Sequence, residues 1–128
     1  MNHIFHKDLA EHGPIPENGI LSRTIQSDER SKVVLFVFAP GQELSAHTAP
    51  MPATIYIVSG EGTLKLGDET MEIAPGSFAY MTPKLEHAIK AKTDSLTFTV
   101  AGQVDANIQY VNDVALVGDG SATPWGPA

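Results

Sequence analysis

Short runs of β-branched, aliphatic and aromatic residues recur along this chain at roughly ten-residue spacing, and Gly, Pro or Asp-containing turns close each of them. The clearest runs are 32–38, 54–58, 63–66, 69–73, 77–81, 87–91 and 95–100, with 20–25 before them and 108–111 after. No stretch in the middle of the chain carries the 3.6-residue apolar period of a long amphipathic helix. Many short strands with regular turn signals predict an all-β fold, a sandwich or barrel rather than a layered α/β structure. Gly67-Asp68, between 63–66 and 70–73, predicts a tight hairpin, because Gly accepts the positive φ that such turns require.

The ends differ from this middle. Residues 8–12 are predicted to form one helical turn ahead of Gly13-Pro14, and 118–128 shows no pattern able to bury a face. The expected organisation is an N-terminal arm with a helical turn and first strand over 1–30, a barrel over 31–112 and a tail over 113–128. Trp125 is the one tail residue able to dock by burying a large ring.

Charge narrows the choice of partner. Eight Lys and Arg stand against fifteen Asp and Glu, a net charge of −7 with a pI near 5.0. A balance this acidic argues against nucleic acid and anionic membrane as partners, which both call for a basic surface. There is no cysteine, so disulfides, thiolate nucleophiles and Cys-type zinc sites are excluded together. No apolar run is long enough to span a membrane and no signal peptide is visible, so the expected location is the cytoplasm.

Two segments carry a recognisable pattern. Gly41, His47 and Gly60 sit at the spacing G-x5-H-x-H-x3-E-x6-G, with Ala49 at the second His position and Ala53 at the Glu position. Gly76 and His87 sit at the spacing G-x5-P-x-G-x2-H-x3-N, with Thr82, Lys84 and Ala91 at the Pro, Gly and Asn positions and Pro83 one place late. Over about residues 30–101 the chain therefore resembles the cupin superfamily, a resemblance that implies a double-stranded β-helix, or jelly-roll barrel. It also implies a metal site inside the barrel, of which His47 and His87 are two of the four family ligands.

Two imidazoles begin a site for a divalent transition metal (Zn, Ni, Fe, Cu or Mn) but seldom hold one tightly, and nothing in the residues favours one of these metals. Glu43, Glu86 and Met51 are near in sequence, but no spacing forces any of them inward. His3, His6 and His12 fit no compact site and are expected on the surface. No pair of carboxylates is placed for acid–base chemistry, and Ser45 lacks the partners of a triad.

Strand alternation puts Ala49, Ala53, Ile55 and Ile57 on the histidines' side. The expected lumen is thus apolar and roomier than that of a four-ligand cupin, lined by Ala49, Met51, Ala53, Ile55, Phe78, Tyr80 and Ile89. Phe36 and Phe38, and likewise Phe78 and Tyr80, are expected between the sheets, and Tyr56 is expected outward beside Val58. An outward apolar patch on a central strand marks an association surface, and the resemblance likewise implies a homodimer. Pro50 and Pro52 stiffen the loop after His47, as suits a barrel mouth.

Three functions stay open: a protein binding a small-molecule ligand in the apolar lumen, a metal-dependent enzyme of dioxygenase or isomerase type using His47 and His87, and a non-catalytic scaffold or interaction module. The missing donors at Ala49 and Ala53 favour the first.

Overall fold

A computed structural model describes residues 3–103 together with 115–116 and 122–123. The expected strand at 108–111, most of the tail after 113 with Trp125, and the side chain of His12 lie outside the described residues.

The described chain is almost wholly β. Asp8 caps a single 3-10 turn, Leu9–His12, by accepting a hydrogen bond from the Ala10 amide at 3.1 Å. Nine strands follow: β1 (Ile20–Ser27), β2 (Ser31–Phe38), β3 (Glu43–His47), β4 (Ala53–Ser59), β5 (Gly62–Leu66), β6 (Glu69–Ile73), β7 (Phe78–Met81), β8 (His87–Ala91) and β9 (Leu96–Gln103). Residues 115–116 and 122–123 form a short antiparallel pair. No helix among the described residues is long and apolar enough to cross a membrane.

The strands form two sheets, one ordered β1-β2-β9-β4-β7 and the other β3-β8-β5-β6, and every pairing is antiparallel. Apart from the hairpins β1–β2 and β5–β6, consecutive strands cross between the sheets, which is the jelly-roll, or double-stranded β-helix, expected from the sequence. The hairpin at Gly67-Asp68 is present, with Leu66 opposite Glu69 and Gly67 at φ 60°.

The core fills the space between the sheets. Phe36 on β2 lies opposite Phe98 on β9, their rings stacked with centroids 5.3 Å apart, and Phe38 meets Phe98 edge to face at 5.1 Å. All three rings are fully buried, along with Val34, Ile57, Leu64 and Leu96. The other face of β2 is also covered. Leu35 and Val37 are buried there, and Gly13 of the N-terminal arm lies so close that a Cβ on it would come within 2.4 Å of Val37 Cγ2. This explains why β2 reads as an unbroken apolar run.

Phe78 and Tyr80 depart from expectation. They point outward, 65% and 58% exposed, while Ala79 and Met81 point in. The register explains the reversal. Tyr56 lies directly opposite Phe78, and residues opposed across two strands share a face. With Tyr56 outward, as expected and at 48% exposure, Phe78 cannot be inward. Val58, expected beside Tyr56 on the surface, is half-buried.

Candidate functional site

His47 closes β3 and His87 opens β8, and the two are register partners. The β3–β8 ladder slips between Leu44 and His47, a local irregularity of the kind that re-aims a side chain. The result is two imidazoles standing edge to face, ring centroids 4.2 Å apart and planes at 61°.

Each ring is held by the main chain two residues before it. His47 Nδ1 lies 2.8 Å from the Ser45 carbonyl oxygen and His87 Nδ1 lies 2.9 Å from that of Leu85. A carbonyl only accepts, so both Nδ1 atoms carry the proton and both Nε2 atoms present a lone pair. Burial pushes both imidazoles below the ordinary histidine pKa, against the opposing pull of those carbonyls, and the neighbouring His47 lowers His87 further. His47 Nε2 is buried and has no hydrogen-bond partner. An orphaned buried acceptor of this kind is uncommon among protein groups alone, and a single water donating to it would satisfy it.

The rings look into a narrow chamber of about 10 Å³, lined also by Phe36, Leu44, Ile55, Met81, Ile89, Phe98 and Val100. That is room for about one water-sized sphere. The expected roomy lumen is therefore not there. Ala49 and Ala53 do remove donor atoms, and both are buried, but neighbouring side chains close over the space, as close-packed interiors require. Of the expected pocket residues, Ile55 and Ile89 line the chamber. Ala49, Met51 and Ala53 do not, and Tyr80 lies on the outer face.

A larger space opens elsewhere. The free edges of the two sheets, β6 and β7, part into a cleft of about 270 Å³ lined by Ile55, Ile57, Leu64, Met71, Ile73 and Ala79, with Glu72, Ser77 and Phe78. Phe78 thus borders a pocket, although not the one expected. Ile55 lines both spaces and forms a wall between them. The polar groups of the cleft are already engaged: Glu72 pairs with Lys92 at 2.5 Å, and the Ser77 hydroxyl accepts from the Ala74 amide at 3.0 Å.

Sequence reasoning missed the cleft because it belongs to neither histidine motif. The signal present was the alternation Leu64, Met71 and Ile73 across the hairpin. It missed Met81 because 78–81, Phe-Ala-Tyr-Met, is apolar on both faces, so alternation alone does not distinguish the inward pair Ala79 and Met81 from the outward pair Phe78 and Tyr80.

The two-sheet barrel with a histidine pair between its sheets defines a class, the small single-domain double-stranded β-helix proteins. Residues 34–102, more than half of the chain, match the family model described as "Cupin domain", and this chain belongs to that family. No curated protein is similar to it. Among solved structures, it is similar to a conserved protein of unknown function from Streptococcus pyogenes (25% identity, TM-score 0.70, covering 80% of this chain and 90% of that one). It is also similar in fold to a cupin superfamily protein from Desulfitobacterium hafniense (22%, TM-score 0.73, 80% and 95%) and an RmlC-like cupin from Shewanella frigidimarina (16%, TM-score 0.67, 80% and 91%).

A four-ligand divalent centre does not fit the residues present. Among the described residues no three His, Cys, Asp or Glu come together, and the chamber offers no carboxylate. Glu43 and Glu86 are exposed and Met51 is half-buried outside the chamber, so none supplies a third ligand. His3 is exposed and His6 half-buried in a surface groove of the N-terminal arm, away from the pair.

Proposed function

We propose that this cupin binds a small, neutral, largely apolar molecule in the cleft between β6 and β7. The carrying observation is the cleft's size and lining: about 270 Å³, against about 150 Å³ for a cavity that takes up benzene. Aliphatic walls reaching the core at Ile57 and Leu64 favour burial of an apolar group. The pairing of Glu72 with Lys92 leaves no lone charge to demand an ionic ligand.

Ligand-observed NMR with indole as the probe tests this reading. Saturation transfer to wild-type protein that disappears in Ala79→Phe, which fills the cleft, supports it. Equal transfer in both proteins, or none in either, overturns it.

We further propose that two copies self-associate through the outer face of β4 and β7. Tyr56 and Phe78 are cross-strand partners there, and Tyr80 faces Thr54 two pairs further along on the same face. Three half-exposed rings make the sort of aromatic cluster that centres an interface.

A further inference from the structure

Among the described residues the two large sheets end in four edge strands, β1 and β7 in one and β3 and β6 in the other. Edge strands carry unpaired main-chain groups, which proteins guard with charge, proline or a bulge. Three of the four are guarded: β1 by Arg23 and a register shift between Thr24 and Gln26, β3 by Glu43 and the shift before His47, and β6 by Glu69 and Glu72. The fourth, β7, reads Phe78-Ala79-Tyr80-Met81, without charge or proline, and keeps unbroken register with β4.

The register also fixes which main-chain groups of β7 are free. Ile57 of β4 turns both of its own toward that side, its amide donating to the Ser77 carbonyl at 3.0 Å and its carbonyl accepting from the Gly76 amide at 2.9 Å. Main-chain direction alternates along a strand, so Ile55 and Ala53 bond their partners Ala79 and Met81. Phe78 and Tyr80 therefore turn their N–H and C=O groups away from β4, to the open edge. Their rings lie on the outer face beside Tyr56. Rings alone make a small contact: three half-exposed aromatic side chains, of roughly 200 Å² each when whole, offer about 300 Å² per copy, against about 800 Å² per partner in a stable complex. A second surface has to join them, and the bare edge is the one beside them.

We infer that two copies join β7 to β7, antiparallel, about a two-fold axis at Ala79. In this register Phe78 lies opposite the partner's Tyr80, and Tyr80 opposite the partner's Phe78, so both free residues of each copy are engaged. Each such pair exchanges two main-chain hydrogen bonds, and the five-stranded sheet runs on from one copy into the other. Ala79 meets the partner's Ala79 on the inner face, where short side chains leave room for the strands to close. On the outer face Tyr56, Phe78 and the partner's Tyr80 fall in one row, a run of cross-strand aromatic pairs. The pairing rests on the self-association proposed above, adds its strand and register, and does not depend on a ligand in the cleft.

Two readouts on the full chain test the pairing. Hydrogen–deuterium exchange by mass spectrometry with residue-level fragmentation is expected to show the Phe78 and Tyr80 amides exchanging at least about tenfold more slowly in the wild-type dimer than after dilution to monomer. The chain has no cysteine, so Ala79→Cys carries a lone thiol. Opposed residues of a non-hydrogen-bonded antiparallel pair stand about 4.5 Å apart at Cα, within the disulfide range of about 4.4–6.8 Å. With oxidised glutathione, Ala79→Cys is expected to give a covalent dimer, and Thr54→Cys, on the outer face, to stay unlinked. A dimer whose Phe78 and Tyr80 amides exchange as fast as in the monomer, or whose Ala79→Cys variant stays unlinked, overturns the edge pairing and leaves self-association to the ring face alone. A wild-type chain that is monomeric by light scattering overturns both.

Discussion

Ala53 on β4 and Met81 on β7 face each other across the antiparallel register, and both are buried. That one pair accounts for much of the barrel interior. A short side chain on one strand is matched by a long flexible one on the next, so loss of a polar ligand position leaves a packed wall instead of a void. It also explains why the ligand-sized space lies at the β6–β7 edge and not beside the histidines.

The histidine pair makes stability depend on pH. Both imidazoles titrate below their unfolded value near 6.5, so as pH falls through 6.5 the unfolded chain takes up protons that the folded chain refuses. Stability is then fully present above the unfolded pKa and declines below it. Thermal melts of the metal-free protein from pH 8 to pH 5 are expected to show Tm falling below about pH 6.5. The fall is expected to be shallower in His47→Ala/His87→Ala, whatever the absolute stability of that variant.

Gly60 turns the chain between β4 and β5 at φ 87°, with a Cβ built on it only 2.0 Å from the Ser95 carbonyl oxygen. Gly60→Ala therefore combines a left-handed backbone penalty with a clash against main chain that cannot swing away. Chemical denaturation is expected to show a loss of at least about 2 kcal/mol.

Lys84 presents the opposite case. It adopts φ 67° at the position where the family pattern has Gly, with its amide donating to the Ala49 carbonyl at 2.7 Å. A left-handed Lys costs about 1–2 kcal/mol, and Gly returns about 0.5–1 of this as added freedom of the unfolded chain. Lys84→Gly is expected to stabilise the fold by up to about 1 kcal/mol, read as a higher denaturation midpoint with an unchanged m-value.

The outward rings on β4 and β7 predict an assembly sensitive to charge. Tyr80→Glu places a carboxylate on an exposed position of an edge strand, where the fold tolerates it. Size-exclusion chromatography with light scattering is expected to give a dimer for wild type at micromolar concentration and a monomer for the variant. A wild-type monomer, or a variant that remains dimeric, would remove this surface from consideration.

The fold was legible because its signals are local. The β-prone runs, the turn at Gly67-Asp68 and the spacing of Gly41, Gly60 and Gly76 all act within a few residues, and each appears where the sequence places it. His47 and His87 were legible as a pair through motif spacing, although 40 residues separate them. Phe78, Tyr80 and Met81 were not legible in the same way. Their run is apolar on both faces, and the strand that decides their orientation, β4, is more than twenty residues away in sequence.

What the sequence by itself determined is the all-β barrel, its family and the two imidazoles that face its interior, because periodicity, turn chemistry and ligand spacing are written along the chain. What only the tertiary structure decided is which face of β7 turns inward, how far the lumen closes and where a cleft remains. Those depend on cross-strand register and on close packing between sheets, where a shift of one residue exchanges every inward side chain for an outward one.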